Sequence, residues 1–263
     1  MSDTTIRFDD GAAYERYMGV WSQGIGTSFL AWLAPPLGGR WLDVGCGNGA
    51  FTELMIRLCQ PTAITGIDPS EAQLNFARTR SGLEQARFDR GDAMALPYAD
   101  DTFDVAVMPL VIFFVPDPAR GVAEMVRVVR PGGLVAAYAW DLLGGGFPYE
   151  ILQAVLRDMG VPVPVPPHPE AAHLATLQTL WCDAGLTTVT TRAITTQRTF
   201  ADFDDYWTTI LGGPSSRPSL MAMTPTKLEE LKTRLRTRLP TDADGRITYA
   251  ATAHAVTGRV ATA

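Results

Sequence analysis

The chain has 263 residues, 46% hydrophobic and 19% charged, a make-up that supplies a soluble globular protein with a large core. Its net charge of −6 argues against neutralising a phosphate backbone, so no nucleic-acid partner is expected and a small molecule is the preferred ligand class. Three cysteines, odd in number and far apart, have neither a disulfide pattern nor metal-ligand spacing, so no metal is expected.

Residues 1–5 are polar and lack the basic-then-apolar pattern of a secretory leader. The longest apolar run, Met108 to Val115, is too short to cross a bilayer. A soluble, cytoplasmic protein without a membrane partner, monomeric or homodimeric, is the expectation. Tyr14, Tyr17, Met18 and Trp21 then cluster, and Ile25, Phe29 and Leu33 repeat at helical spacing before Pro35 and Pro36 stop the helix. This segment reads as an amphipathic helix covering whatever follows.

Residues 40–49 read as a short buried strand (Trp41, Leu42, Val44) breaking into Gly45, Gly47 and Gly49, then a helix from Ala50 to Cys59. Glycines at that spacing let the backbone turn sharply and let a ligand lie against it without meeting a Cβ. The first amides of the helix favour an electron-rich group at the same place. Asp43 adds a carboxylate at the carboxyl end of the strand, where open α/β sheets bind ligands. The pattern suits a flat ligand, part nucleoside, with an amino group for Asp43 to hold. A second strand, residues 64–68, ends in Asp68, placed to reach a ribose diol. A third, residues 86–93, again ends in an acid, Asp92; a fourth spans 103–108, and a fifth runs from Leu134 to Trp140. Helices over 70–80 and 119–129 alternate with them, Ser70 and Asp117 being plausible caps, so a parallel doubly wound sheet is predicted.

Residues 109–115 are wholly apolar and offer either a greasy pocket wall or core filling. After Trp140 and Asp141 come three glycines (144–146), Tyr149 and a helix to about Met159. The proline-rich residues 161–169 cannot be helical and read as a lid, binding loop or spacer. A helix over 171–184 ends at Gly185, and long strands are predicted over 186–200 and 247–256. Between those two lies a helical insert, residues 201–240, with Phe203, Tyr206 and Trp207 and a leucine-striped basic helix.

Taken together, Leu42 to Gly49, Gly66-Ile67-Asp68, Gly91-Asp92-Ala93, Phe103-Asp104-Val105 and Glu124 to Gly133 resemble, in order and spacing, the class I S-adenosylmethionine-dependent methyltransferases. They are most similar to the ubiquinone/menaquinone-biosynthesis (methyltransferase type 11) branch. The resemblance covers residues 40–140 and implies a Rossmann-like, seven-stranded, mostly parallel sheet with an N-terminal helical lid at 1–39. One domain is expected, with a cap of loop and helices at 141–185 and the last two strands, with their insert, at 186–263. The implied cofactor is S-adenosyl-L-methionine, leaving as S-adenosyl-L-homocysteine. Asp43 and the backbone of Gly45, Cys46 and Gly47 would hold its methionine end; Asp68 its ribose, with Pro69 beside the adenine. Asp92 and Ala93 would meet the adenine edge, Met108 and Pro109 would lie beside the methyl group, and Tyr14 and Trp21 would close over the pocket. Many relatives carry a polar residue or histidine after strand four; this chain does not, which removes the usual general-base candidate. His168, His173, Asp141 and Tyr149 remain as catalytic candidates. The acceptor reads as a small hydrophobic or aromatic metabolite. The alternative is a catalytically silent, methyltransferase-like protein that binds cofactor or a partner.

Overall fold

The computed structural model describes residues 15–213 and 216–262. The run Arg40–Val44 forms β1, with every residue after Arg40 buried, as a strand covered on both faces requires. It pairs in parallel with β2 (Ala63–Asp68) on one side and β4 (Phe103–Pro109) on the other. Adding β3 (Ala86–Arg90), β5 (Val129–Trp140), β6 (Thr187–Phe200) and β7 (Ile247–Arg259) gives one sheet in the order β3-β2-β1-β4-β5-β7-β6. Only β7 runs against its neighbours, being antiparallel to both β5 and β6. This is the seven-stranded, mostly parallel, doubly wound sheet that the strand pattern predicts. Its order reverses between β1 and β4, so a crevice opens at their carboxyl ends.

The helices follow from spacing and caps. They are α1 (Val20–Leu33), α2 (Ala50–Cys59), α3 (Glu71–Thr79), α4 (Pro118–Val128), α5 (Glu150–Asp158) and α6 (Leu174–Asp183). The insert adds α7 (Phe203–Ile210), α8 (Arg217–Met221) and α9 (Pro225–Arg238). Ser70 Oγ accepts from the Gln73 amide at 3.4 Å, and Asp117 Oδ1 from the Arg120 amide at 3.1 Å, with Pro118 in the first turn.

Alternation along β4 and β5 splits the core into two layers. Val105, Val107, Tyr138 and Trp140 join Trp21, Ile25, Phe29 and Leu54 of α1 and α2, with Leu152 of α5 and Leu231 of α9. Ala106, Met108, Val135 and Ala137 face Val122 and Met125 of α4 and Leu177 and Trp181 of α6. Where predicted boundaries shift, pairing decides. β5 starts early because Val129 pairs with Phe103 ahead of an irregularity in register, and β7 reaches Arg259 because Leu134 pairs there. A 3-10 turn, Pro169–Ala172, precedes α6, and a π-helical turn, Glu15–Gly19, precedes α1. No helix among the described residues is long and apolar enough to cross a membrane.

Candidate active site

After Val44 the chain turns on Gly45, Gly47 and Gly49, all at positive φ (75°, 51° and 80°). The amides of Gly45 and Cys46 both donate to the Ile67 carbonyl, at 2.8 and 3.1 Å, pinning the turn to the end of β2. Asp68 then ties strand to turn: its Oδ2 accepts from the Gly47 amide at 3.0 Å and its Oδ1 from the Ser70 amide at 2.8 Å. Burial raises the Asp68 carboxyl, and the two backbone amides oppose that shift. A Cβ on Gly47 would meet nothing nearer than Gln73 Oε1 at 3.9 Å, so this face of the turn is open.

Asp43 lies beneath the same turn and is fully buried. Its Oδ2 accepts from Thr52 Oγ1 at 2.6 Å, while its Oδ1 has no hydrogen-bond partner among the described residues. Burial pushes this carboxyl up to about 7, against the Thr52 hydrogen bond, and the charge of Asp68 adds to the rise. A buried carboxylate oxygen left unpaired is costly, and it fits a ligand that brings its own cationic donor. Cys46 turns its side chain the other way, into a small cluster with Leu74, Ala77, Leu83 and Phe88, so only its backbone belongs to the turn. Pro69 and Asp92 are exposed and Ala93 half-buried beyond the ends of β2 and β3. Asp92 Oδ1 accepts from the Met94 amide at 2.9 Å, which leaves its other oxygen for a ligand.

A cavity of about 490 Å3 opens at the carboxyl ends of β4 and β5. Leu110, Phe113 and Phe114 line it after β4; Trp140, residues 142–145 and Phe147 after β5; Tyr17 and Met18 from the N-terminal turn. The proline-rich segment roofs it with Pro164, Val165, Pro166 and Pro169, and α5 contributes Glu150, Gln153 and Arg157. Leu110 stands at φ 60°, a conformation that L side chains other than Asn and Asp rarely adopt, and its N–H donates a hydrogen bond to the Tyr138 carbonyl at 2.7 Å. That turn directs Val111 onto the glycine loop: a Cβ on Gly45 would stand 2.7 Å from Val111 Cγ1 and closer still to Cγ2. Consecutive residues after β4 thus face the two places: Leu110 lines the cavity and Val111 packs on the glycine turn.

The remaining sequence candidates fall in distinct places. Tyr14 lies outside the described residues. Trp21 is fully buried, its ring 5.3 Å from that of Tyr249, and Tyr17 and Met18 take the place on the cavity expected for it. Met108 packs beneath the sheet toward α4, and Pro109 is buried, so Leu110, the residue just after β4, is the one that lines the cavity. Tyr149 stacks on Tyr17 at 4.0 Å and donates its hydroxyl to the Tyr17 carbonyl, and burial holds that hydroxyl well above the usual tyrosine range. Asp141 Oδ1 accepts from the Gly144 amide at 2.8 Å, and its Oδ2 lies 3.8 Å from His254 Nε2. His254 Nδ1 sits 2.8 Å from the Ala172 carbonyl, to which it donates. His173 is exposed, 6.2 Å ring to ring from His254, and His168 Nδ1 is 3.0 Å from Glu170 Oε1. None of these four candidates is among the residues lining the cavity, and the described residues contain no metal-holding cluster.

Two anchoring groups have no local sequence signal. Arg198 of β6 reaches back to donate to the carbonyls of Arg16 and Tyr17, each at 3.2 Å. Glu15 accepts from Asn48 of the glycine turn at 3.3 Å and from Arg80 at 3.2 Å, and Arg80 also pairs with Glu53 at 2.6 Å. The N-terminal turn is thereby fastened to both halves of the site.

Comparison with known proteins agrees with this geometry. Residues 42–137 match the family described as Methyltransferase domain. Phthiotriol/phenolphthiotriol dimycocerosates methyltransferase 1 of Mycobacterium ulcerans is 38% identical over 96 residues, covering 36% of this chain and 35% of that protein. Demethylmenaquinone methyltransferase of Staphylococcus aureus is 38% identical over 100 residues, covering 37% of this chain and 42% of that one. The chain thus matches well under half the length of these relatives. Phosphoethanolamine N-methyltransferase 2 of Haemonchus contortus, solved in complex with S-adenosyl-L-methionine, superposes with a TM-score of 0.60 at 16% identity, over 95% of this chain and 56% of that one. At that identity the likeness concerns the fold. The glycine turn, the acids at the ends of β1, β2 and β3 and the family match coincide in one segment: residues 42–137 are similar to a methyltransferase domain, and the sheet order is that of the solved methyltransferase fold.

Proposed function

We propose that this chain transfers the methyl group of S-adenosylmethionine to a small hydrophobic or aromatic acceptor seated in the cavity beside the glycine turn. The observation that carries the reading is that two unlike compartments are bridged by adjacent residues, Leu110 on the cavity and Val111 on the glycine turn. On one side lie the open face of Gly47 and a buried carboxylate with an unpaired oxygen; on the other, Leu110, Phe113, Phe114 and Trp140. In this reading Asp43 and the backbone of residues 45–47 hold the methionine end, Asp68 the ribose hydroxyls, and Pro69, Asp92 and Ala93 the adenine. The bound cofactor supplies an electrophilic methyl on a sulfonium. What the chain contributes is alignment and dryness: it orients the acceptor in line and removes water from the approach. Leu110 and Val111 stand at the junction where the two ligands would meet. Tyr17, clamped by Arg198 and Tyr149, closes the N-terminal side. The candidate acids and bases lie away from the cavity lining, so no side chain is assigned to proton abstraction.

The apolar lining accords with the hydrophobic acceptors named in the relatives, dimycocerosate lipids and demethylmenaquinone. Incubation with methyl-labelled S-adenosylmethionine and a panel of hydrophobic phenols, quinols and hydrophilic amines tests the reading. Label is expected in the organic extract, and Phe114→Asp is expected to remove it without changing affinity for S-adenosylhomocysteine. Transfer confined to the hydrophilic amines would overturn the assignment.

A further inference from the structure

The polar part of the cavity lining is concentrated on one helix. Glu150, Gln153 and Arg157 stand at i, i+3 and i+7 along α5 and form one stripe, while Leu152, Val155 and Leu156 bury the opposite face. The stripe is balanced internally, since Arg157 Nη2 donates to Glu150 Oε1. Between the two charges, half-buried Gln153 has a side-chain amide with no protein hydrogen-bond partner among the described residues. Its carboxamide offers both a donor and an acceptor to whatever occupies the cavity. At the mouth the lining changes character: Leu143 and Val165, from the two loops that flank the opening, are 58% and 68% exposed.

From this arrangement we infer that Gln153 is a specificity-determining residue, which selects acceptors carrying an uncharged polar group on an apolar body. The inference rests on the proposed methyltransferase reading and narrows its substrate class. An anionic group that approaches Arg157 also meets the Glu150 carboxylate, and a cationic group that approaches Glu150 meets the guanidinium. Neither gains a net counter-charge, and both lose hydration against Phe113, Phe114 and Trp140. A ketone, phenol or amide avoids that loss and satisfies the Gln153 amide. A wholly apolar compound leaves that amide unpaired once water is displaced.

Four probes that share one ring system separate these cases: 1-acetylnaphthalene, 1-methylnaphthalene, 1-naphthoate and 1-naphthylmethylammonium. Each is titrated by calorimetry into the full chain saturated with S-adenosylhomocysteine. The ketone is expected to bind about ten-fold tighter than each of the other three, the gain of one desolvated hydrogen bond. In Gln153→Leu the ketone's advantage over 1-methylnaphthalene is expected to vanish while 1-methylnaphthalene keeps its affinity. Gln153→Glu is expected to move the preference to the ammonium probe, which checks the role with a second variant of similar size. Tightest binding by 1-naphthoate, or equal ranking of the probes in wild type and both variants, would overturn the inference while leaving the cofactor reading intact. Failure of S-adenosylhomocysteine to bind would overturn the methyltransferase reading and this inference with it.

Discussion

Asp43 is the group whose replacement separates stability from binding most cleanly. It is fully buried, its Oδ1 is unpaired and its carboxyl is pushed up to about 7. In the unfolded chain it titrates near pH 4. Below pH 4 both states hold the proton and the group leaves stability unchanged. Between pH 4 and about 7 the unfolded chain is ionised while the fold keeps its proton, so stability falls as pH rises, and above about 7 the loss is complete. At about 1.4 kcal/mol per pH unit the total is about 4 kcal/mol, of which about 3 kcal/mol accumulates between pH 5 and pH 8.5. Asp43→Asn keeps the shape and an acceptor for Thr52 but has no proton to lose. Urea unfolding of the ligand-free protein at both pH values is therefore expected to show the variant gaining about 3 kcal/mol on wild type as pH rises. The same change removes the charge assigned to the cofactor's ammonium, so S-adenosylhomocysteine affinity is expected to fall by ten-fold or more. A stability difference that stays constant from pH 5 to pH 8.5 would refute the account of Asp43 as a carboxylate held unpaired for a ligand.

Other outcomes follow from the packing of Val111 on the glycine turn and from the N-terminal clamp. Gly45→Ala places a Cβ at φ 75° against Val111; a cost of roughly 1–3 kcal/mol is expected, seen as a lowered Tm with loss of S-adenosylhomocysteine binding. Adding Val111→Ala is expected to recover the steric part only, leaving the double variant between wild type and Gly45→Ala. Arg198→Met removes the donors to the Arg16 and Tyr17 carbonyls, and trypsin cleavage after Arg16 is expected to accelerate about ten-fold by mass spectrometry. An unchanged cleavage rate would mean that Tyr149 and the Glu15 contacts hold the turn without Arg198.

The sheet was legible because its signals are local. β1 and β2 are short runs that end beside a glycine turn or in an acid, and caps such as Ser70 and Asp117 declare the helices that alternate with the strands. Asp43 and Asp68 are readable for the same reason, since their place is fixed by the strand ends they occupy. The cavity was less legible. Tyr14, Tyr17 and Trp21 share a face at α-helical spacing, but the π-helical turn at Glu15–Gly19 inserts an extra residue into that period. Both Tyr17 and Trp21 are buried in the core, but only Tyr17 also lines the cavity. Leu110 in a left-handed conformation is likewise invisible in sequence, because nothing about leucine favours it; its N–H donates to the Tyr138 carbonyl of the neighbouring strand. His254 and Asp141 approach each other only through the antiparallel register that sets Ala139 opposite His254, a consequence of where β7 inserts. Arg198 meets Tyr17 across 181 residues of chain, which no local pattern announces.

The central claim is that the glycine turn and its two acids form a cofactor cradle, and calorimetric titration of S-adenosylhomocysteine into wild type beside Asp68→Ala tests it most directly. Asp68 holds both the Gly47 and Ser70 amides and is assigned the ribose, so its removal strikes the turn and the ligand together. Micromolar binding to wild type, weakened at least a hundred-fold in a variant with unchanged far-ultraviolet circular dichroism, is the expected result. Equal affinity in the two proteins, or no binding to wild type, would contradict it.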